Sequence, residues 1–267
     1  MVSTSPIISS NSIASRFEEL RSRSRRALVC YLTAGFPDAE RSLDCLHALA
    51  DAGADVIELG VPFSDPIADG PVIQASSQRA LEQGMSFDRT LELAARCGEG
   101  ARVPLVLFSY LNPLLAAGED ALARASDAGI SGILITDLPV GSDTAREDWL
   151  AEGPLAFIRL VAPTTPRERM AEIARHGSGF LYLISRLGVT GASDRSPDGL
   201  RETVLRLRST TTLPICVGFG ISTPEQAREV GAIADGVVVG SALVSAAAAS
   251  PAAVGRLTRS LRVALDS

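Results

Sequence analysis

The chain of 267 residues contains no lysine, so all 25 of its basic residues are arginines. A Schiff base between a side-chain amine and a carbonyl substrate or pyridoxal phosphate is therefore impossible in this chain. Histidine is almost as scarce: only His47 and His176 are present, and both lie in segments with a helical pattern. A metal site built from three histidines is excluded, and general-base catalysis by histidine is disfavoured.

Other features that the sequence lacks narrow the class of protein further. The net charge of −6 argues against a nucleic-acid or anionic-membrane partner, which would require a basic surface. The longest apolar runs are far shorter than the roughly 20 residues that span a bilayer. The cysteines are few and form no C-x-x-C pair, which favours reduced, partly buried thiols in a cytoplasmic protein over a disulfide or zinc site. They are Cys30, Cys45, Cys97 and Cys216.

The sequence does contain a repeating pattern of short β-branched runs, each followed by a polar turn and a helical pattern. Eight such runs alternating with helices predict a parallel (β/α)8 TIM barrel, one domain over residues 1–267. A doubly wound open sheet is the alternative, but eight is the number that closes a barrel and no G-x-G-x-x-G follows the first run. The runs begin near Leu28, Asp55, Val103, Gly132, Leu155, Gly179, Leu213 and Asp235.

An additional amphipathic helix is predicted before the first strand. Ile13, Phe17 and Leu20 recur at helical spacing, which predicts a helix over residues 12–26 that covers the barrel floor. We expect about residues 1–11 to be disordered. The segment is rich in serine and arginine, as targeting peptides are, but two glutamates interrupt the positive charge and favour a solvated helix face.

The second strand supplies the first candidate catalytic residue. In the run DVIELGV, alternation directs Ile57 and Leu59 toward the helices and Glu58 toward the barrel mouth, where the active sites of such barrels lie. Apolar neighbours would raise the pKa of Glu58 and let it carry protons near neutral pH, unless it forms a structural pair with an arginine. The stiff, proline-rich loop that follows adds Asp65 and Asp69, for which an ordinary surface turn is the alternative.

Glycine-bearing turns after strands six, seven and eight predict a phosphate site. They are Gly188–Gly191, Gly218–Gly220 and Gly240–Ser241. The last of them leads into a short helix, whose free N–H groups form an anion site, and barrels of this kind often bind phosphate after strands seven and eight. Without lysine, backbone N–H groups would hold most of the phosphate.

Aromatic residues are rare but several fall at strand ends, where they would line a pocket for a flat apolar substrate. They are Tyr31, Phe108, Tyr110 and Tyr182, and ordinary barrel packing is the alternative. Together these patterns predict carboxylate acid–base chemistry on a partly aromatic, phosphate-bearing substrate, without a metal or a covalent cofactor.

Residues 57–70, with the sequence IELGVPFSDPIADG, resemble the signature of the tryptophan synthase alpha subunit family along all fourteen positions. The resemblance implies a TIM-barrel lyase that cleaves indole-3-glycerol phosphate into indole and glyceraldehyde 3-phosphate in L-tryptophan biosynthesis. It implies no cofactor in this chain, because pyridoxal phosphate belongs to the beta subunit that completes an alpha2-beta2 tetramer. Further similar segments occur along the chain in family order: LTAGFPD (32–38), the Tyr110–Pro113 run, TDLP (136–139), SRLGVTG (185–191), GFGIS (218–222) and GSALV (240–244).

The same resemblance implies roles for individual residues. Glu58 matches the glutamate that exchanges protons with the substrate, Asp69 the aspartate that accepts the indole N–H, and Tyr182 a tyrosine beside the site. The remaining matches are Gly191, Gly220, Gly240 and Ser241 for phosphate, Thr190 in the loop that closes over the substrate, and Asp65, Pro66 and Asn112 at the partner interface.

Alternative functions stay open at this point. One is a free-standing lyase that releases indole without a partner, and another is a related phosphate-binding barrel, although that would lack the signature at residues 57–70. A third is a non-catalytic activator of a beta subunit, against which the presence of both Glu58 and Asp69 argues. Phe108 and Ser109 depart from the family pattern, which usually has leucine and then methionine or threonine there.

Overall fold

The structure is a computed structural model that describes residues 13–98, 103–184, 197–218 and 220–267. Eight parallel strands in these ranges close into a barrel in chain order, which confirms the predicted TIM-barrel fold. The strands are β1 (Ala27–Thr33), β2 (Val56–Gly60), β3 (Leu105–Ser109), β4 (Ile130–Ile135), β5 (Ala156–Val161), β6 (Leu181–Ile184), β7 (Ile215–Gly218) and β8 (Gly236–Val239).

Helices connect successive strands and surround the barrel. The interval between β2 and β3 is the longest in the sequence and contains two of them. In chain order the described helices are α1 (Ile13–Ser22), α2 (Ala39–Asp51), α3 (Pro71–Glu82), α4 (Phe87–Gly98), α5 (Leu111–Ala116), α6 (Ala121–Asp127), α7 (Thr144–Ala151), α8 (Arg167–Arg175), α9 (Pro197–Arg208), α10 (Pro224–Gly231), α11 (Ser241–Ala249) and α12 (Pro251–Leu265).

Strand alternation divides the apolar residues into an outer and an inner layer. On β2, Ile57 and Leu59 belong to the core between strands and helices, and Val56 belongs to the barrel interior, as the sequence predicts. The interior below the strand ends is filled with side chains, so it is a packed core and not a pore. Its strand and strand-flanking members are Ala27, Val29, Val56, Val106, Leu134, Ile158, Phe180, Cys216 and Val238.

Helix α1 covers the floor of the barrel. Ile13, Phe17 and Leu20 are buried in the interior cluster, and the ring of Phe17 lies 5.6 Å from the ring of Phe180. The helix ends at Ser22, earlier than the predicted residue 26. Ser24 adopts a φ of 54°, a left-handed conformation that stops a helix and turns the chain into β1. The predicted disorder of residues 1–11 concerns a segment outside the described residues.

A buried ion pair ties the last helix to the first two strands. The Arg262 guanidinium on α12 donates to Asp55 Oδ2 over 2.9 Å, and each side chain is 7% exposed. The same carboxylate accepts the Leu28 N–H over 2.9 Å. Burial raises the pKa of Asp55, while the Leu28 hydrogen bond and the charge of Arg262 oppose the rise. Asp55 precedes β2 directly, so this contact joins α12, β1 and β2 at the floor.

All four cysteines are buried and unpaired, in agreement with the predicted thiols. Burial raises the pKa of Cys45 and of Cys97 to about 11, so both thiols are neutral at physiological pH. No helix in the described ranges is long and apolar enough to cross a membrane.

Candidate active site

A cavity of about 370 Å³ opens at the carboxyl ends of the strands. Its lining contains two carboxylates, Glu58 and Asp69, and no basic side chain from the described part of the chain. The other lining residues are Tyr31, Ala68, Gly70, Pro71, Ile73, Phe108, Thr136, Leu160, Tyr182, Ile184, Gly220, Ile221, Ser222, Val238, Gly240, Ser241 and Ala242.

Glu58 lies on β2, in register with Tyr31 on β1 and Val106 on β3, and its side chain points inward as predicted. The residue is 1% exposed, and its Oε1 has no hydrogen-bond partner within the described ranges. No described arginine pairs with it, so the alternative of a structural ion pair does not hold for these residues. Burial raises the pKa of Glu58 to about 8, which keeps the carboxyl protonated at neutral pH.

Asp69 reaches the same cavity from the loop between β2 and α3. The Asp69 N–H donates to the Pro66 carbonyl over 3.0 Å, and the Gln74 side chain on α3 donates to the Asp69 carbonyl over 2.9 Å. Burial raises the pKa of Asp69 to about 6, and a hydrogen bond from the Tyr110 hydroxyl opposes this rise. At neutral pH one cavity therefore holds an ionised Asp69 and a protonated Glu58.

Two glycines leave the space that the inward-pointing tyrosine side chains occupy in the cavity wall. A Cβ on Gly60 would lie 2.2 Å from the hydroxyl oxygen of Tyr31, and one on Gly218 would lie 2.5 Å from that of Tyr182. Sequence reasoning assigned Gly218 to a phosphate turn and gave Gly60 no role. The signal was the position of each glycine at the carboxyl end of a strand, next to a strand that carries an aromatic residue.

The predicted aromatic pocket is formed by three of the four candidates. Tyr31, Phe108 and Tyr182 line the cavity, and the rings of Tyr31 and Phe108 meet edge to face with centroids 5.2 Å apart. Tyr110 is not among the lining residues. Its ring packs on Phe63, with centroids 5.1 Å apart, and its hydroxyl is turned toward the loop that carries Asp69.

The predicted phosphate residues that the structure describes lie together on one side of the cavity. Gly220 has a φ of 83°, which favours glycine, and Gly240 directly precedes α11. Ser241 and Ala242 bring the first turn of α11 to the cavity, and the first N–H groups of a helix have no partner within it. Thr190 and Gly191 lie outside the described residues.

The predicted partner residues lie near the cavity on an exposed surface. Asp65 and Asn112 are exposed and Pro66 is half-buried. Asp65, Pro66 and Asp69 belong to one loop between β2 and α3, which we call the catalytic loop. Ile67 in this loop is 86% exposed, and Leu115 on α5 is 39% exposed. This part of the surface therefore combines the predicted partner residues with apolar side chains that are exposed to solvent.

Sequence reasoning missed several residues of the cavity wall. Thr136 follows β4 directly, and Leu160 and Ile184 lie near the ends of β5 and β6. Their positions at strand ends could have indicated that they line the cavity. In the sequence, however, such residues cannot be distinguished from ordinary core residues, because their side chains have no distinctive chemistry.

The fold and the cavity define the class first: a TIM-barrel protein whose site at the strand ends is equipped for proton transfer by carboxyl groups. The sequence matches the family model described as "Tryptophan synthase alpha chain" over residues 17–263. The chain belongs to the tryptophan synthase alpha chain family.

Individual relatives agree with this family. The tryptophan synthase alpha chain of Desulfatibacillum aliphaticivorans is 49% identical over 236 residues, 86% of this chain and 87% of the relative. That of Gluconacetobacter diazotrophicus is 48% identical over 246 residues, 91% of this chain and 90% of the relative. Among solved structures, tryptophan synthase subunit alpha from Legionella pneumophila is 36% identical with a TM-score of 0.87, covering 95% of this chain and 98% of that one.

Proposed function

We propose that this chain cleaves indole-3-glycerol phosphate into indole and D-glyceraldehyde 3-phosphate, as the alpha subunit of tryptophan synthase. The observation that carries the proposal is the pair of carboxyl groups in one cavity, a protonated Glu58 and an ionised Asp69. The aromatic wall suits the indole ring, and the N–H groups beside Gly220 and Gly240 suit the phosphate at the other end.

The proposed reaction moves protons and breaks one carbon–carbon bond. Glu58 donates its proton to indole C3, and the positive charge that forms on the ring is stabilised by Asp69, which accepts the indole N–H. The Glu58 carboxylate then removes the proton of the C3′ hydroxyl, so that the C3′ carbonyl forms as the C3–C3′ bond breaks. The bonding electrons return to the ring and restore indole, and Glu58 is protonated again.

The indole ring serves as the electron sink in this scheme, so the absence of lysine from the chain is no obstacle. We propose that the alpha reaction uses no cofactor and that pyridoxal phosphate resides in a partner beta subunit. The partner surface is Asp65, Pro66, Ile67, Asn112 and Leu115, and the assembly is an alpha2-beta2 tetramer. We also propose that this chain, as an enzyme of amino-acid biosynthesis, works in the cytoplasm.

The test is indole release from indole-3-glycerol phosphate by the purified chain and two variants. Glu58→Gln should lose activity by at least about 10²–10⁴-fold, the usual contribution of a positioned proton carrier, and Asp69→Asn should be severely impaired. For the wild type, kcat/KM should rise as the pH passes about 6, where Asp69 ionises, and fall above about 8, where Glu58 loses its proton.

The outcomes separate the alternatives. Indole release that a beta subunit does not change indicates a free-standing lyase. A chain that releases no indole but accelerates a beta subunit is a non-catalytic activator. Wild-type turnover by Glu58→Gln would remove Glu58 from the mechanism.

A further inference from the structure

The Tyr110 hydroxyl makes two hydrogen bonds to adjacent residues of the catalytic loop. It accepts the Ala68 N–H over 2.9 Å and lies 3.1 Å from Asp69 Oδ2. Tyr110 comes from a different part of the barrel, directly after β3 and before α5. It therefore links the catalytic loop to a neighbouring element of the framework.

The direction of the second bond follows from the first. A phenol has one proton, and the Ala68 N–H is a donor, so the Tyr110 oxygen accepts there. Its proton is then directed at the Asp69 carboxylate, a bond in which the acceptor is charged and which is stronger than one between neutral groups. A single hydroxyl thus fixes both the backbone before Asp69 and the carboxylate itself.

Tyr110 is buried, and its backbone is hydrogen-bonded on both sides. The residue is 3% exposed, and its ring packs on Phe63. The next residue, Leu111, donates its N–H to Asp137 Oδ1 over 2.7 Å, and the Ser109 hydroxyl donates to the Tyr110 carbonyl over 2.8 Å. These hydrogen bonds anchor the backbone on both sides of Tyr110, while its hydroxyl contacts the catalytic loop.

We propose that Tyr110 is a positioning residue that keeps Asp69 ionised and aimed into the cavity. This inference rests on the proposed function, in which Asp69 balances positive charge on the substrate ring. Tyr110 acts through Asp69, since its own side chain does not line the cavity.

None of the other titratable groups that the structure describes near Asp69 is a cation that could stabilise its carboxylate. Tyr31 on β1, Glu58 on β2 and Tyr182 on β6 line the same cavity, and their pKa values are all raised by burial. Within the described ranges, no arginine lines this space. The hydroxyl of Tyr110 is therefore the contact that favours the ionised form of Asp69.

The experiment is a carboxyl NMR titration of Asp69 in the ¹³C-labelled chain and in its Tyr110→Phe variant. The hydrogen bond from Tyr110 stabilises the ionised form of Asp69, so its loss should move the Asp69 pKa upward by about one unit or more. We also expect kcat to fall by at least about tenfold, while glycerol 3-phosphate, which probes the glycine turns after β7 and β8, binds with unchanged affinity. In the wild type, the Ala68 amide signal should follow the Asp69 titration.

Phe63→Leu is the matched control, because it removes the ring beneath Tyr110 and leaves the hydroxyl. It should change the Asp69 pKa much less than Tyr110→Phe does. An Asp69 pKa that is the same in Tyr110→Phe and in the wild type overturns the proposal, as does an Ala68 amide signal that ignores the titration. A wild-type chain that releases no indole would overturn the proposed function instead, and the titration would still decide the role of Tyr110.

Discussion

At the scale of one residue, the buried carboxyl group of Glu58 lowers the stability of the folded chain as the pH rises. Its pKa in the folded chain is about 8, compared with an ordinary value of 4.5. Between these values the folded chain keeps a proton that the unfolded chain releases. The free energy of unfolding therefore falls as the pH rises through this window.

Glu58→Gln removes this dependence, because the amide stays neutral in both states. We expect the melting temperature of the wild type to fall more between pH 5 and pH 8.5 than that of the variant, so that Glu58→Gln is the more stable protein at the higher pH. Thermal unfolding of both proteins in the same buffers measures the difference. Parallel curves for the two proteins would contradict a buried, neutral Glu58.

The direction of Glu58 could be predicted from the sequence because strand alternation has a fixed period of two. The role of Tyr110 could not be predicted in this way. Its hydroxyl contacts Ala68 and Asp69, which are more than 40 residues away in the sequence. These two residues lie in a loop, where side-chain directions follow no regular period. The position of Tyr110 directly after β3 predicts that it lies at the carboxyl end of the barrel. That its hydroxyl contacts Asp69, and that its side chain does not line the cavity, is seen only in the folded structure.

At the scale of elements, the start of α11 is the part of the site that can be tested separately from the carboxylates. A Cβ on Gly240 would lie 3.6 Å from the nearest Tyr31 atom, which is ordinary contact, so the fold has room for alanine. The same methyl group would stand beside the N–H groups that we assign to phosphate. Gly240→Ala should therefore weaken glycerol 3-phosphate binding by about tenfold in calorimetry.

Gly255→Ala on α12 is the control for this experiment. Its Cβ would also meet only ordinary contacts, the nearest at 3.7 Å, and Gly255 does not line the cavity. Replacing a glycine within a helix by alanine raises helix stability by about 1 kcal/mol and should leave the affinity unchanged. Equal affinities for the Gly240 variant and the wild type would locate the phosphate elsewhere.

The elements themselves were largely readable in advance. The eight β-branched runs correspond to eight strands. Thr223 and Pro224 are residue types that favour a helix start, and they begin α10 with a capping box in which Gln226 takes part. The end of α1 was predicted too late, because the left-handed conformation of Ser24 leaves no mark in the pattern of apolar residues. Periodic features are thus predictable, whereas single backbone reversals at a serine are not.

At the scale of the whole molecule, closure of the barrel floor depends on Arg262. Arg262→Met leaves the Asp55 carboxylate buried without its partner, and breaking such a pair costs about 3–5 kcal/mol. The exposed pair between Arg96 and Glu40, with side chains 47% and 75% exposed, provides the comparison. Arg96→Met should cost less than about 1 kcal/mol. Urea unfolding measures both, and equal losses would show that Arg262 has no special structural role.

The exposed apolar surface near the site leads to a prediction about assembly. If a beta subunit covers Ile67, then Ile67→Ser should reduce the stimulation of indole release by that subunit by about tenfold and leave the basal rate of the free chain within about twofold. Asn112→Asp should also lower stimulation more than basal activity. Val263→Ser on α12, where the side chain is 64% exposed, is the matched control. Equal stimulation of the Ile67 and Val263 variants would place the partner on another face.

Helix α1 has a consequence for how molecules move through the protein. In the described part of the chain, it closes the floor of a barrel whose lower interior is filled, so the cavity has its opening at the strand ends. Under the proposed function, the substrate would enter and both products would leave by that opening. Each product that stays behind blocks the next turnover, and a subunit seated over the strand ends would govern the departure of indole as well as the rate at which it forms.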